Sequence, residues 1–509
     1  MKKLFTIIAL MCVGAVAMGA QVAESVSDGP KLMALTEGND GDGDEAGEMS
    51  WFLAQVPEAG MLREVIGDRL ENTDSLIVEG KINVEDLNTI WHATFYGTTQ
   101  VVDLAKTTFT DGQIPDFLFF KQEQYVDKTE FFWKYIPIKL RKIVFGSGID
   151  EIGCGAFDNA IYIDEIVFTA PVRRIDDQAF MSSRKIGSRG PLVLPEGLEE
   201  IGRMAFQSTF ISDITIPSTL KRVEAVAFSG TNIRELHFPD GMEFIGRGAF
   251  SMCLLEELIL PDQEIEFEGE AHFGAQRYLK KAHLPSVMKH IPESFLQYCL
   301  SLSDVDLPEK LESVGEGAFE MCPLETVTLP EGTKTVGSNA FANEALTKVM
   351  LPSTIEGLGK LCFESQSLAA VYCRAIVPPA LVDEASPFTG GKDVIAATLY
   401  VPVGSAEAYR TAPGFSNFSD YVEYSDGEFN EAYGLGGVDS AVADNGGAEI
   451  TADGEGICIR AAAGTTYTVC GADGRVVASG ITSAGETRVA VLPGLYVVKV
   501  GDTVSKLAL

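Results

Sequence analysis

The sequence is short of cations and of the side chains that usually do chemistry. Its 509 residues hold 39 Lys plus Arg against 73 Asp plus Glu, a net charge of −34, with only five histidines and nine cysteines. So acidic a surface repels phosphate backbones and excludes nucleic acid as a partner. Nine cysteines in a chain this long make no disulfide scaffold. No HExxH, GxSxG, GxxxxGK[ST] or CxxC motif occurs, and no His/Cys pair has metal-ligand spacing. The expectation is therefore no enzyme: no catalytic residue, no metal, no cofactor. His272, His283 and His290 crowd together, but they read as solvated or locally bonded imidazoles. Beyond the first twenty residues no run approaches the 18 or so apolar residues of a membrane-spanning helix, so no transmembrane segment is expected.

What is present begins with an export signal at residues 1–20. Lys2 and Lys3 form a basic start, residues 4–16 an apolar run too short to span a membrane, and Ala17, Gly19 and Ala20 a small-residue cleavage region. Cys12 follows Met11, where lipoprotein processing needs a small residue. Residues 21–58 read as an acidic flexible lead. Asp40, Asp42 and Asp44 in it have the spacing that opens a calcium loop, but the Gly and distant Glu that complete one are out of place, which leaves a solvated tether.

The decisive feature is a repeat. Phe157, Phe180, Phe206, Phe228, Phe250, Phe273, Phe295, Phe319, Phe341 and Phe363 follow one another at intervals of 23, 26, 22, 22, 23, 22, 24, 22 and 22 residues. Seven of the ten directly follow Ala. In step with them runs apolar-x-x-apolar-x-apolar-Pro, as in Ile211-Ile214-Ile216-Pro217, Leu255-Leu258-Leu260-Pro261 and Leu324-Val327-Leu329-Pro330. The alternation makes each unit a short strand with its apolar side chains inward, and Pro ends it. One coil of about 22 residues buries too few side chains to offset the entropy of ordering it, so coils must stack into a solenoid.

These residues resemble the BspA-like leucine-rich repeats of bacterial surface proteins, whose unit runs L-x-x-I-x-L-P and then I-G-x-x-A-F. Ile201-Gly202-Arg203-Met204-Ala205-Phe206 and Val336-Gly337-Ser338-Asn339-Ala340-Phe341 match it closely. The likeness covers residues 140–375, the regular leucine-rich repeats. It departs at residues 183–189, a basic insertion, and near residues 264–273, where His272 replaces Ala. Residues 59–139, with helical spacing at Leu62, Val65, Ile66 and Leu70 and a second helix from Val84 to Trp91, read as a helical N-terminal cap with atypical coils. Residues 376–425 read as the cap of the other end and 426–447 as a linker.

Residues 448–509 alternate as six short strands, a small C-terminal β-sandwich. Within it residues 472–477 and 492–500 resemble the sorting domain of the type IX secretion route of Bacteroidota, although the usual basic tail is reduced to Lys506. A plain accessory β-domain is the other reading. The fold class is thus a β-rich leucine-rich-repeat solenoid with a helical N-terminal cap plus a β-sandwich. Cys253, Cys299 and Cys322 recur just after the coil's Phe and read as small buried filler, with a Cys299–Cys322 bridge conceivable. Cys458 and Cys470, expected on neighbouring strands, are the better disulfide candidates.

Strand alternation places one residue per coil on the outer face: Thr215, His237, Ile259, His283, Asp306, Thr328, Met350 and Tyr372, with Met350 and Tyr372 exposed. At about 4.8 Å per coil such a column suits a macromolecule better than a small molecule. The resemblance implies a secreted or outer-surface adhesin for an extracellular protein or matrix component. A glycan-binding module is the alternative, disfavoured because the column holds a single aromatic ring.

Overall fold

The computed structural model describes residues 49–120, 122–126, 131–135, 138–382, 384–389, 394–425, 449–453, 456–460, 466–471, 476–482, 487–489, 495–500 and 503–508. The export signal, most of the acidic lead and the linker lie outside the described residues. Parallel strands stack into two ladders. The first runs Trp51–Val56, Ser75–Ile82, Val101–Ile114, Ser147–Ile152, Arg174–Ile175, Glu200–Ile201, Arg222–Val223, Phe244–Ile245, Glu266–Phe267. It resumes at His290–Ile291 and continues through Ser313–Val314, Thr335–Val336, Gly357–Leu358 and Ala380–Leu381. The second ladder carries the outer column and is described below. The result is a β-solenoid with little helix.

Trp51–Val56, expected inside the flexible lead, is instead the first strand. Ala54 and Val56 are buried and the strand pairs residue by residue with the one from Ser75, so its own alternation secures it. Helix α1 (Leu62–Ile66) and helix α2 (Val84–Phe95) each connect consecutive strands of the ladder. Asn83 caps α2 by accepting from the amides of Glu85 and Asp86, while the Asp86 carboxylate accepts from the Asn83 amide. At the far end Ile395–Pro402 and Phe418–Tyr424 pair in parallel around α3 (Ala406–Thr411). Buried Tyr409 pins α3 to the last coil, its hydroxyl donating to the Ala375 carbonyl at 2.7 Å.

Phenylalanine rings run through the core as a stack. Phe157, Phe180, Phe206, Phe228, Phe250 and Phe273 lie 5.2–5.6 Å apart with planes within 11°. The basic insertion at residues 183–189 leaves it intact, with Phe180 and Phe206 still 5.3 Å apart. Phe119, not foreseen in the repeat, begins the stack at 4.6 Å from Phe157. In most coils the ring amide donates to the carbonyl of the residue just before the next ring, usually a small one, as Phe206 does to Ala227 and Phe228 to Ala249.

That pattern corrects the repeat at one place. Phe273 donates to the Phe295 carbonyl and Leu296 to the Ala318 carbonyl. Leu296, 23 residues from both Phe273 and Phe319, therefore holds the ring slot, and Phe295 holds the slot of the small residue. Phe295 consequently meets Phe273 edge-on, at 72°. His272 occupies the same small slot one coil earlier. Buried beside Phe267 and Phe295, its Nε2 donates to the Glu268 carbonyl while Nδ1 has no partner, and burial pushes its pKa down to about 4.

The cysteine positions do more than fill space. The thiols of Cys253, Cys299 and Cys322 donate to the carbonyls of Phe228, Phe273 and Leu296, and the amide of Gln276 donates to Phe250. Cys299 and Gln276 thereby supply a donor to the Phe273 and Phe250 carbonyls, while the Phe228 and Leu296 carbonyls also accept from the amides of Thr231 and Cys299. Cys299 and Cys322 are unbridged thiols. Burial pushes the Cys253 thiol up to about 11, so it stays a donor.

Residues 449–508 make two antiparallel sheets. One joins Glu449–Asp453, Gly456–Arg460 and Thr487–Val489; the other runs Val476–Ile481, Thr466–Gly471, Leu495–Val500, Thr503–Ala508. Ile450, Ile457, Ile459, Val469, Val489, Val498 and Val500 form their shared core. Cys458 and Cys470 sit in different sheets, not on paired strands, and the Cys470 side chain lies outside the described residues.

Candidate binding ribbon

The second ladder forms where each coil's Leu-x-x-Leu-x-Leu segment becomes extended. Lys142–Phe145 pairs with Glu165–Phe168, and Leu192–Val193 with Ile214–Thr215. After the His237 coil, which forms no strand here, come Glu257–Ile259, Lys281–His283 and Asp304–Asp306. A further run holds Thr326–Thr328, Lys348–Leu351, Ala370–Cys373, Ile395–Pro402 and Phe418–Tyr424. The two runs are separated by a shallow cleft of 410 Å³ lined by Asp306, Val327 and Thr328 among others.

Thr215, His237, Asp306 and Thr328 are exposed, as the alternation requires, and Ile259 leaves 53 % of its surface in solvent. His283 is half-buried between acids: Nε2 lies 3.3 Å from Glu257 and Nδ1 2.6 Å from Asp306, so one imidazole spans three coils. Lys281 adds an ion pair to Asp304 at 3.4 Å. The three histidines that crowd in sequence end in three different settings, His272 in the core, His283 on the ribbon and His290 on the first ladder.

Met350 is not exposed. It retains 2 % of its surface, because the ladder sets it between Thr328, whose hydroxyl meets its sulfur at 3.4 Å, and Tyr372. Neighbouring long side chains close over this stretch. Lys348 reaches 5.1 Å from the Tyr372 ring centre, and Arg374 crosses a whole coil to pair with Glu331 at 2.8 Å. Tyr372 itself is half-buried, stacked on Tyr400 at 4.3 Å and 8°. Tyr400 was missed in the sequence. It stands between Leu399 and Val401, the same position in the alternation as Tyr372, but 28 residues on and past the regular period.

A family model described as "BspA type Leucine rich repeat region (6 copies)" matches residues 81–187, 128–256, 199–320 and 289–377, more than half of the chain. No curated protein matches. Among solved structures, a leucine-rich repeat protein from Bacteroides ovatus is similar at 17 % identity and a TM-score of 0.41, over 60 % of this chain and 75 % of that one. The pneumococcal vaccine antigen PcpA is similar at 15 % identity and a TM-score of 0.33, over 69 % of this chain and 80 % of its own. A leucine rich cell surface protein from Faecalibacterium prausnitzii gives 20 % identity and a TM-score of 0.30, over 51 % and 86 %.

Proposed function

This chain belongs to the BspA-type leucine-rich repeat family, and from that premise we propose that it is an exported, outer-surface scaffold whose ribbon binds an extracellular protein or matrix component. The observation that carries the reading is the tyrosine pair. Tyr372 has Tyr400 against one face and the Lys348 ammonium over its ring. A glycan site stacks a sugar on an open aromatic face, and Tyr372 has none to offer. Rigid, half-buried tyrosines flanked by charge suit a protein contact, where aromatic anchors contribute most of the binding energy.

Export rests on the basic and apolar start of the sequence, and no described helix is long and apolar enough to cross a membrane. The C-terminal sheets, read as a small sandwich, act as the sorting address in this proposal, on the likeness of residues 472–477 and 492–500. The helical segment at the start is read in this proposal as the cap of the stack. Solid-phase binding of the full chain to immobilised extracellular matrix proteins and to surface polysaccharides tests the reading. Saturable binding to a protein supports it. Binding confined to polysaccharides replaces it with the glycan reading.

A further inference from the structure

The first ladder stops between Glu266–Phe267 and His290–Ile291, and a cleft of 780 Å³ opens there. Two causes lie in the sequence. In the other coils the residue after the strand donates its amide to the coil before, as Gly246 does to Val223, Glu268 to Ile245, Gly315 to Ile291 and Gly337 to Val314. At this one junction the position is Pro292, which has no N–H to give the Phe267 carbonyl. The second cause is bulk. His272 and Phe295 fill slots that hold Ala in most coils, and with Phe267 they form a three-ring cluster, centroids 5.2–5.6 Å apart, beside the open edges. The turn side stays bonded, with Phe273 donating to Phe295 and Ala275 to Gln297. The coils therefore part on one side only, as a wedge.

Among the described residues, the Glu266–Phe267 strand has no ladder partner on the wedge side, and neither has His290–Ile291. By the register of the preceding coils, the Ile265 and Phe267 carbonyls face the wedge from one wall and the His290 amide from the other. Alternation turns Ile265 and Phe267 inward and leaves Glu264 and Glu266 exposed at the rim, where Glu293 joins them. The basic side chain of the far wall is engaged by the next coil, Lys289 by Glu312 at 3.1 Å, and the His290 Nδ1 meets the Ser313 hydroxyl at 2.8 Å. The rim is thus acidic.

We propose that the wedge is a docking slot for an extended, basic segment of a partner polypeptide, which adds as a parallel strand between the two open edges. Its amides meet the Ile265 and Phe267 carbonyls, and one of its carbonyls meets the His290 amide. Alternate apolar side chains rest on Ile265, Phe267 and Met288, and alternate Lys or Arg side chains face Glu264, Glu266 and Glu293. The chain's own acidic lead carries the wrong charge for that rim. The slot lies on the first ladder and is independent of the ribbon.

The probe is a fluorescein-labelled octapeptide of alternating Val and Lys, titrated against the full chain by anisotropy. Controls are the same peptide N-methylated at alternate residues and a Val/Glu counterpart. Saturable binding of the Val/Lys peptide is expected, weakened about tenfold or more by N-methylation. The variant Glu264→Lys/Glu266→Lys should lose the Val/Lys peptide and gain the Val/Glu one. His272→Ala/Pro292→Gly/Phe295→Ala, which restores the small slots and the missing donor, should close the wedge and abolish binding with the β-sheet circular dichroism retained. Tyr372→Ser/Tyr400→Ser should bind as the natural chain does, which separates this slot from the ribbon. No saturable binding up to about 1 mM overturns the proposal, as does equal affinity for the N-methylated peptide or for the charge-reversed variant.

Discussion

Phe228→Ala removes one ring from the middle of the stack. The ring is fully buried between Phe206 at 5.3 Å and Phe250 at 5.4 Å, nearly parallel to both. Truncating a buried Phe costs about 3–5 kcal/mol through lost transfer energy and the cavity left behind, and two offset stacks place this site toward the upper end. Collapse is blocked because the coils on both sides are held by amide bonds, Phe206 to Ala227 and Phe228 to Ala249. Phe295→Ala supplies the contrast. It puts a small residue back into a slot whose turn side is bonded like the others but whose strand side, at the wedge, is unpaired and free to close on the space. A cost of about 1–2 kcal/mol is expected there. Urea unfolding of the full chain, followed by far-ultraviolet circular dichroism, ranks the two, and amide exchange in the 206–250 coils localises the loss. Equal costs for both variants, or a Phe228→Ala change within about 0.5 kcal/mol, would refute the reasoning.

Three further outcomes follow from the same geometry. Burial pushes the Asp158 carboxyl up to about 6 and the His272 imidazole down to about 4. The folded chain then holds an extra proton at Asp158 from about pH 4 to 6, so that contribution to stability falls as pH rises through the window. At His272 the unfolded chain holds the extra proton up to about pH 6.5, so stability there rises with pH. Asp158→Asn should therefore gain roughly 1–2 kcal/mol at about pH 7.5 relative to about pH 4.5, and His272→Asn should lose the rising component; urea midpoints at the two pH values check both signs. Deleting residues 324–345, one whole coil, should leave a folded, shorter protein, since each coil contacts only its neighbours; loss of the β-sheet circular dichroism would count against the solenoid. Removing residues 450–509 should leave the solenoid folded but strand it inside the cell envelope, and equal surface levels of full-length and truncated chains would reduce the last sheets to an accessory.

The coil period, its inward residues and most of the outer column were legible in sequence because a stacked repeat writes the same constraint again and again. Most coils set a small residue before the ring and an alternating segment after it. What was not legible is local bulk. The phenylalanine at position 295 satisfied the period by residue type, yet its amide bonds put Leu296 in the ring slot. Met350 obeyed the alternation but was covered by long neighbours, which no period records. Tyr400 followed the alternation outside the period, so a search by interval passed over it. Trp51–Val56 lay next to an acidic stretch whose composition hid its strand pattern. The wedge needed the structure, because a proline is ordinary in this repeat and only its position in the ladder makes Pro292 a gap.

The most direct test of the proposed binding function is the tyrosine pair itself. In solid-phase binding to the extracellular proteins that capture the natural chain, Tyr372→Ser/Tyr400→Ser should weaken affinity at least about tenfold, or about 1.4 kcal/mol. Leu300→Ser, an apolar residue 61 % exposed off the ribbon, should leave it unchanged. Undiminished binding by the tyrosine variant, with the loss appearing instead in Leu300→Ser, would contradict a ribbon that binds through Tyr372 and Tyr400.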